Sequence, residues 1–230
     1  MNFAIIVAAG SGIRFGSEIP KQFLELNGKA IIFHTLQRFE DCAAIDQTIL
    51  VLAESEIPRF ESNASQYNLS KLKTIVAGGK TRSESVWRGL QTLDSALPTD
   101  IVAVHDGARP LVTIAEITET IGKAGETGAA VLVAPVTDTI KEIVDAKIIK
   151  TIERDNLRRA LTPQCFRYEL LQRAFVEAEN LDAGSATDES FLVEKIGAAI
   201  SIVEGGAQNI KITVPEDLIL AEALMRQSKV

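Results

Sequence analysis

Apolar positions along the chain follow two alternating periodicities. Unbroken apolar runs at Phe3-Ala4-Ile5-Ile6-Val7, Thr48-Ile49-Leu50-Val51-Leu52, Ile101–Val104 and Ala129–Ala134 have the length and composition of strands buried on both faces. Lys73–Ala77 and Ala199–Val203 read as two further strands. Between these runs, apolar residues recur every three or four positions. That spacing predicts helices from about Ala30 to Phe39, with Ile31, Ile32, Leu36 and Phe39 on one stripe, from Ile57 to about Tyr67, and from Arg82 to Leu93. Thr113 followed by Glu116 makes a capping-box pattern for a helix running through about Lys123. Helices at about Tyr168–Glu179 and Asp188–Lys195 follow, and a last one opens at Pro215, where Glu216 and Asp217 complement the helix dipole. Alternating strands and helices of this kind predict an α/β fold with a mostly parallel sheet flanked by crossover helices.

The stretch 136–153 breaks the alternation with two β-type runs about a turn at Asp145-Ala146. A hairpin without a third strand is marginal alone. It therefore either protrudes as a β-arm that packs on another surface, such as a second copy of the chain, or folds back on its own domain. The expectation is one domain over 1–230 with a β-arm insertion at about 136–157.

Composition narrows the function classes. The chain has 230 residues, 46% hydrophobic and 24% charged, with a net charge of −7, which argues against a general nucleic-acid surface and makes clusters of cations in particular loops more telling. No apolar run approaches the ~18 residues of a membrane span, and the first residues enter a strand with no basic leader, so a cytoplasmic protein without a membrane partner is expected. Cys42 and Cys165 read as small core residues. The two histidines, His34 and His105, have no metal-ligand spacing with them, so no structural zinc site is expected.

In open parallel sheets, ligands bind beyond the carboxyl ends of the strands. Four loops at such positions carry unusual residues. The first runs from Ala8 to Gln22. Gly10, Gly12 and Gly16 allow backbone to approach a ligand closely, and Arg14 and Lys21 add cations suited to a polyanion whose charge grows during a reaction. The Walker pattern is absent, and no helix opens on the glycines as a dinucleotide fingerprint requires. A plainer reading is a flexible surface turn with solvated cations. The second loop, Gly78-Gly79-Lys80-Thr81-Arg82-Ser83-Glu84-Ser85, offers glycine backbone and the Ser85 hydroxyl to a ligand, or simply enters a helix with Ser83 as its cap. In the third, Asp106 can orient a sugar hydroxyl or hold a metal and Arg109 can pair with phosphate, unless the two only bridge each other. The fourth, Asn209–Pro215, sets Lys211 in an apolar run where a charge calls for an anionic partner. Thr139 on the arm, then Arg154 and Thr162, add phosphate-friendly groups. No nucleophile elbow and no glycosidase-type carboxylate pair is present. Cations, glycines, hydroxyls and a lone Asp suit phosphoryl-type transfer, in which a protein positions groups and neutralises charge.

Taken together, Ala8-Ala9-Gly10-x-Gly12-x-Arg14, Pro20-Lys21-Gln22, Ser85-Val86 with Gly89-Leu90, His105-Asp106-x-Ala108-Arg109-Pro110, Pro135-Val136-x-Asp138-Thr139, Arg154-x-x-Leu157, Leu161-Thr162-Pro163-Gln164, Thr187-Asp188-Glu189 and Asn209-Ile210-Lys211-Ile212-Thr213 resemble the 2-C-methyl-D-erythritol 4-phosphate cytidylyltransferases, in order over essentially the whole chain. The resemblance implies a Rossmann-like nucleotidyltransferase fold and a homodimer with interlocked arms. It implies transfer of a cytidylyl group from CTP to the substrate's own phosphate, with release of pyrophosphate and no protein nucleophile. By that resemblance Arg14, Lys21 and Lys211 are catalytic. Ala8, Ala9, Gly10, Gly12, Gly79, Ser85 and Asp106 bind the nucleotide, and Asp106, Arg109, Thr139, Thr162 and a partner's Arg154 bind the sugar-alcohol phosphate. Mg²⁺ is held mainly by the CTP phosphates, with Asp106 a possible ligand. Lys80 stands where many relatives carry an acid, and Gly107 where Ala is more usual, which is expected to loosen the turn. The alternatives are a ribitol 5-phosphate cytidylyltransferase, which shares most of these motifs, a dinucleotide-dependent oxidoreductase, disfavoured by the cationic loop, and a non-enzymatic nucleotide sensor.

Overall fold

The computed structural model describes residues 1–10, 15, 19–178 and 188–227. The first apolar run is β1 (Asn2–Ala8), and a small hairpin of β2 (Glu25–Leu26) and β3 (Lys29–Ala30) follows the first loop. Next come α1 (Ile31–Glu40), β4 (Gln47–Leu52), α2 (Ile57–Ala64), β5 (Leu72–Ala77), α3 (Arg82–Leu90) and β6 (Ile101–Asp106). The second half contains α4 (Ile114–Thr127), β7 (Ala129–Pro135), β8 (Ile140–Val144), β9 (Lys147–Ile152) and β10 (Arg158–Arg167). It closes with α5 (Tyr168–Ala178), α6 (Glu189–Lys195), β11 (Ser201–Glu204) and α7 (Pro215–Gln227).

Seven strands form one sheet in the order β11-β7-β10-β6-β1-β4-β5. β1 lies between β4 and β6 and runs parallel to both, with Ile5 beside Ile49 on one side and Val104 on the other. The chain moves outward from β1 to β4 and β5, then returns across β1 to place β6. That reversal opens a crevice at the carboxyl ends of β1 and β6, where an open α/β sheet binds its ligands. Apolar side chains of the central strands alternate between two cores. Ala4, Ile6, Leu50 and Ala103 pack with α1, α2 and α4, while Ile5, Val51, Val102 and Val104 pack with α3, α5 and α6. Burial on both faces explains why these strands read as continuous apolar runs. Cys42 and Cys165 both lie within the first core.

Several boundaries differ from the pattern. α3 ends at Leu90 rather than Leu93, and α2 ends at Ala64 rather than near Tyr67, whose ring instead stacks on Phe33 with centroids 4.1 Å apart. Thr81, not Ser83, caps α3, its hydroxyl accepting the Glu84 amide N–H at 3.1 Å. The capping box of Thr113 and Glu116 forms as read.

The largest departure is β10, which runs antiparallel between β6 and β7 and which periodicity missed. Its Thr162-Pro163-Gln164 centre is polar and contains a proline, the residue least compatible with an interior ladder. The structure accommodates it with a register shift between Ala160 and Gln164.

β8 and β9 form a separate two-stranded hairpin turning at Asp145 and Ala146, whose φ angles of 48° and 60° are the left-handed pair of a tight hairpin turn. Ile143, Val144, Ile148 and Ile149 stand exposed on it, Ile148 at 65%. No helix among the described residues is long and apolar enough to cross a membrane.

Candidate active site

The crevice is a cavity of about 780 Å³ lined by Ala8, Ala9 and Gly10 from the end of β1, Gly79, Arg82 and Ser85 from the β5–α3 turn, Asp106 from β6, and Lys21 and Lys211. Eight residues singled out in the sequence thus meet in one place, although they come from four separated segments.

Each wall has a local cause. Gln22, 2% exposed, turns its amide inward to donate to the Ala8 carbonyl at 2.9 Å, which ties the first loop to the end of β1. Lys21, beside it in a single 3-10 turn (Lys21–Phe23), reaches the cavity and donates from Nζ to the Ile212 carbonyl at 3.0 Å. The Ile212 amide in turn donates to the Ala108 carbonyl at 2.9 Å. Ile212 is buried with Leu26, Ile31, Leu111 and Ala221 of α7. This apolar anchor carries the adjacent Lys211 to the crevice although it is distant in sequence. At the opposite wall, the Ser85 hydroxyl accepts the Gly79 amide N–H at 3.0 Å and donates to the Thr81 carbonyl at 2.9 Å. Ser85 therefore shapes the turn as well as lining the cavity.

Gly107 does not loosen its turn. Its N–H donates to the Val7 carbonyl at 2.8 Å, and its own carbonyl accepts the Thr35 hydroxyl at 2.9 Å. A Cβ there would lie 2.8 Å from Ala8 Cβ and 3.2 Å from the Val7 carbonyl oxygen, so the close approach of β1 and β6 favours glycine.

Asp106 is the electrostatic centre. Its Oδ1 accepts from Arg82 Nε at 3.0 Å, and its Oδ2 is shared by Lys211 Nζ at 3.0 Å and Arg109 Nε at 3.2 Å. Burial opposes its ionisation, yet Arg82, Lys211 and Arg109 outweigh that effect and hold the carboxyl well below the usual carboxylate range. The anionic partner that Lys211 requires is therefore Asp106. The Asp106–Arg109 bridge exists as one part of a larger cluster, and Arg109 also donates from Nη1 to the Asn209 carbonyl at 2.8 Å.

Thr162 lies behind Asp106 rather than on the cavity wall. Its hydroxyl oxygen accepts the Asp106 amide N–H at 3.2 Å and stands 2.9 Å from His105 Nδ1. The His105 ring is buried, which lowers its pKa to about 3 and keeps it neutral. Thr162 then donates to Nδ1, and Nε2–H donates to the Arg109 carbonyl at 3.2 Å, a neutral bridge that clamps the turn after β6.

The hairpin groups stand elsewhere on this chain. Thr139 and Arg154 are exposed and are not among the cavity's lining residues, and Arg154 Nη1 donates to the Thr137 carbonyl. Gly12, Gly16, Arg14 and Thr187 lie outside the described residues.

Two members of the charge cluster had no role in the sequence reading. Arg82 occupies the first position of α3, where the helix dipole disfavours a cation. That misplacement was the available signal that carboxylates await it. Glu189, the second, meets Arg82 only through the fold, and its position at the start of α6 is unremarkable by itself.

Among the described residues no group of three His, Cys, Asp or Glu side chains gathers as a metal cage would need. Asp106 is the sole acid among the cavity's described lining residues, and both of its oxygens are shared with cations. Such a donor set suits a cation carried in on a polyphosphate better than a resident ion.

Comparison with known proteins finds similarity over nearly the whole chain. The family model described as IspD, 2-C-methyl-D-erythritol 4-phosphate cytidylyltransferase, matches residues 2–227. A protein of that description from Clostridioides difficile (strain 630) is 44% identical over 231 residues, covering 100% of this chain and 95% of its own length. One from Alkaliphilus metalliredigens (strain QYMF) is 41% identical over 227 residues, covering 98% and 93%. The crystal structure of 4-diphosphocytidyl-2C-methyl-D-erythritol synthase from Anaerococcus prevotii DSM 20548 superposes with a TM-score of 0.85 at 30% identity, covering 97% of this chain and 95% of that one.

Proposed function

The chain belongs to the 2-C-methyl-D-erythritol 4-phosphate cytidylyltransferase family and is a nucleotidyltransferase, and we propose that its crevice joins CTP to 2-C-methyl-D-erythritol 4-phosphate in non-mevalonate isoprenoid precursor synthesis. The products are 4-diphosphocytidyl-2-C-methyl-D-erythritol and pyrophosphate. The ribitol 5-phosphate alternative is not favoured, because the relatives matched over the whole chain carry the methylerythritol description. The observation that carries the reading is the convergence of Lys21 and Lys211 on one cavity with the Ala8–Gly10 and Gly79 backbone.

A phosphate oxygen of the sugar alcohol attacks the α-phosphorus of CTP, and the bond to the pyrophosphate oxygen breaks. The incoming phosphate is itself the nucleophile, so the protein's task is to align two polyanions and offset the charge on the five-coordinate phosphorus. Lys21 and Lys211 supply cations from opposite ends of the chain, tied together by the bond from Lys21 to the Ile212 carbonyl. Arg14 is assigned to the same role by the family pattern. Ala8, Ala9, Gly10 and Gly79 present backbone to the nucleotide, with Ser85 holding the Gly79 turn in shape. Asp106 orients Lys211 and Arg109 and is the carboxylate available to a ribose hydroxyl or to a metal ion. A divalent cation such as Mg²⁺, borne by the triphosphate, supplies charge neutralisation and orientation of the leaving group when bound.

The exposed apolar side chains of the β8–β9 hairpin suit burial against a second copy of the chain, giving a homodimer in which Thr139 and Arg154 complete the partner's crevice. The working location is the cytoplasm.

The test is pyrophosphate release from CTP with Mg²⁺, run in parallel with methylerythritol phosphate and ribitol 5-phosphate. Release with the first alone supports the reading. Release with the second alone moves the protein to polyol-phosphate activation, and silence with both in a chain that binds CTP favours a nucleotide sensor.

A further inference from the structure

An ionic chain that starts at buried Glu189 and reaches the cavity wall at Arg82 and Asp106 links α6 to the reacting centre. Glu189 is fully buried, at 0% exposure, and both of its oxygens accept from the same Arg82 nitrogen, Nη1, at 2.6 and 2.7 Å. The Nε of that guanidinium donates to Asp106 Oδ1 at 3.0 Å. Burial raises the pKa of Glu189, and Arg82 opposes that rise. Burial also disfavours the charge on Arg82, but Glu189 and Asp106 more than compensate.

Glu189 is held firmly from its own side. Asp188, the cap of α6, accepts from the Phe191 amide at 3.0 Å and the Ser190 hydroxyl at 2.9 Å. Gln164 of β10, itself 1% exposed, donates to Asp188 Oδ2 at 2.9 Å and accepts the Ser190 amide N–H at 3.0 Å. The two residues flanking Glu189 are therefore fastened to the central sheet. This rigidity passes through Glu189 and Arg82 to one oxygen of Asp106, and leaves the other oxygen to Lys211 and Arg109.

We propose that Glu189 is a positioning residue for the transfer reaction, fixing Asp106 through Arg82 so that Lys211 is presented to the reacting phosphates. A buried ion pair is a poor source of net stability, because desolvation offsets the attraction. Its use here is geometric. Without the carboxylate of Glu189, Asp106 is the remaining partner of Arg82 among the described residues, and the guanidinium can turn its fork to grip both Asp106 oxygens. That grip competes with Lys211 for Oδ2 and shifts the lysine from its place. The inference deepens the cytidylyl-transfer reading and rests on it.

The experiment is a kinetic double-mutant cycle on the full-length enzyme with CTP and methylerythritol phosphate, comparing Glu189→Gln, Asp106→Asn and the double variant. Glu189→Gln is expected to lower kcat about tenfold or more, the scale of a small misplacement of a reacting group, with KM for CTP changed less than about threefold. In the double variant the two losses are expected not to multiply. Fully multiplicative losses, or a kcat for Glu189→Gln within about twofold of wild type, would overturn the proposal. If Glu189→Gln does not fold, Arg82→Lys takes its place with the same expected non-additivity. A second readout needs no turnover: the ¹⁵N resonance of Arg82 Nε–Hε in the ligand-free protein is expected to shift in both Glu189→Gln and Asp106→Asn. An inactive wild type would overturn the functional reading, and this resonance would then decide the Glu189–Asp106 coupling by itself, an unmoved signal refuting it.

Discussion

Replacing Gly78 with alanine tests whether the crevice walls are as closely set as the structure requires. The added Cβ would stand 2.3 Å from Ala9 Cβ, 2.9 Å from Ser85 Oγ and 3.4 Å from the Leu52 carbonyl oxygen. Carbon atoms in contact sit about 3.5–4.0 Å apart, so β1's exit and the β5–α3 turn would have to separate by more than about 1 Å. Neither side yields cheaply. The Ala9 Cβ has no rotamer to change, the Gly78 amide is bonded to the Leu52 carbonyl at 2.7 Å, and the Ser85 hydroxyl is engaged by Gly79 and Thr81. Overpacking of this kind typically costs about 1–3 kcal/mol. In a chain of this size that lowers Tm by about 2–12 °C. Ala9 and Gly79 both line the cavity, so the same displacement is expected to lower kcat/KM for CTP by up to about 10²-fold. Gly10→Ala is the control, since no described residue lies within 4 Å of its added Cβ, and its Tm should stay close to wild type. Scanning calorimetry and steady-state kinetics on both variants make the comparison. Wild-type melting and turnover in Gly78→Ala, or an equal loss of Tm in Gly10→Ala, would refute the packing argument.

Three further outcomes are expected. Mixed dimers of inactive Lys21→Ala chains with inactive Arg154→Ala chains should regain partial activity, because one crevice is then built from intact contributions; demonstrated mixed dimers without rescue would contradict the shared site. Burial keeps His105 neutral down to about pH 3, so the unfolded chain takes up a proton below about 6.5 that the folded chain refuses, and stability falls as pH drops through that window by up to about 1.4 kcal/mol per unit. His34, also lowered by burial, adds a slope of the same sign in wild type and variant, so His105→Gln should show a flatter loss of urea-derived stability on acidification, and an unchanged slope would refute the assignment. Direct attack by the substrate phosphate inverts configuration at a chirally labelled α-phosphorus of CTP, whereas retention would reveal a covalent nucleotidyl-enzyme.

The strands that build the crevice were legible because they are buried on both faces and so carry unbroken apolar runs, as at Ile5–Val7 and Ile101–Val104. The gathering of polar residues at their carboxyl ends was legible for a related reason. Gly10, Gly79, Asp106 and Lys211 interrupt or closely follow apolar runs, where such residues need a cause, and Lys21 lies in the loop that Gly10 opens. β10 was not legible, since Pro163 and its polar neighbours carry no strand period and find their place only through pairing with β6 and β7. The cap of α3 was misplaced by two residues because Ser83 is by type the better cap, while the structure uses Thr81. The Glu189–Arg82–Asp106 chain was hidden for a different reason: Glu189 is separated from Arg82 by 107 residues, and only the packing of α6 beside the sheet brings them together. The hairpin was foreseen together with its turn, and its apolar side chains stand exposed.

The central claim is that Lys21 and Lys211 offset the charge that develops as the cytidylyl group is transferred. It is tested most directly by kcat for Lys21→Ala and Lys211→Ala under saturating CTP and methylerythritol phosphate. Each is expected to fall by on the order of 10²-fold or more, as when a group that stabilises transition-state charge is removed. Near-normal turnover in both variants would contradict the account.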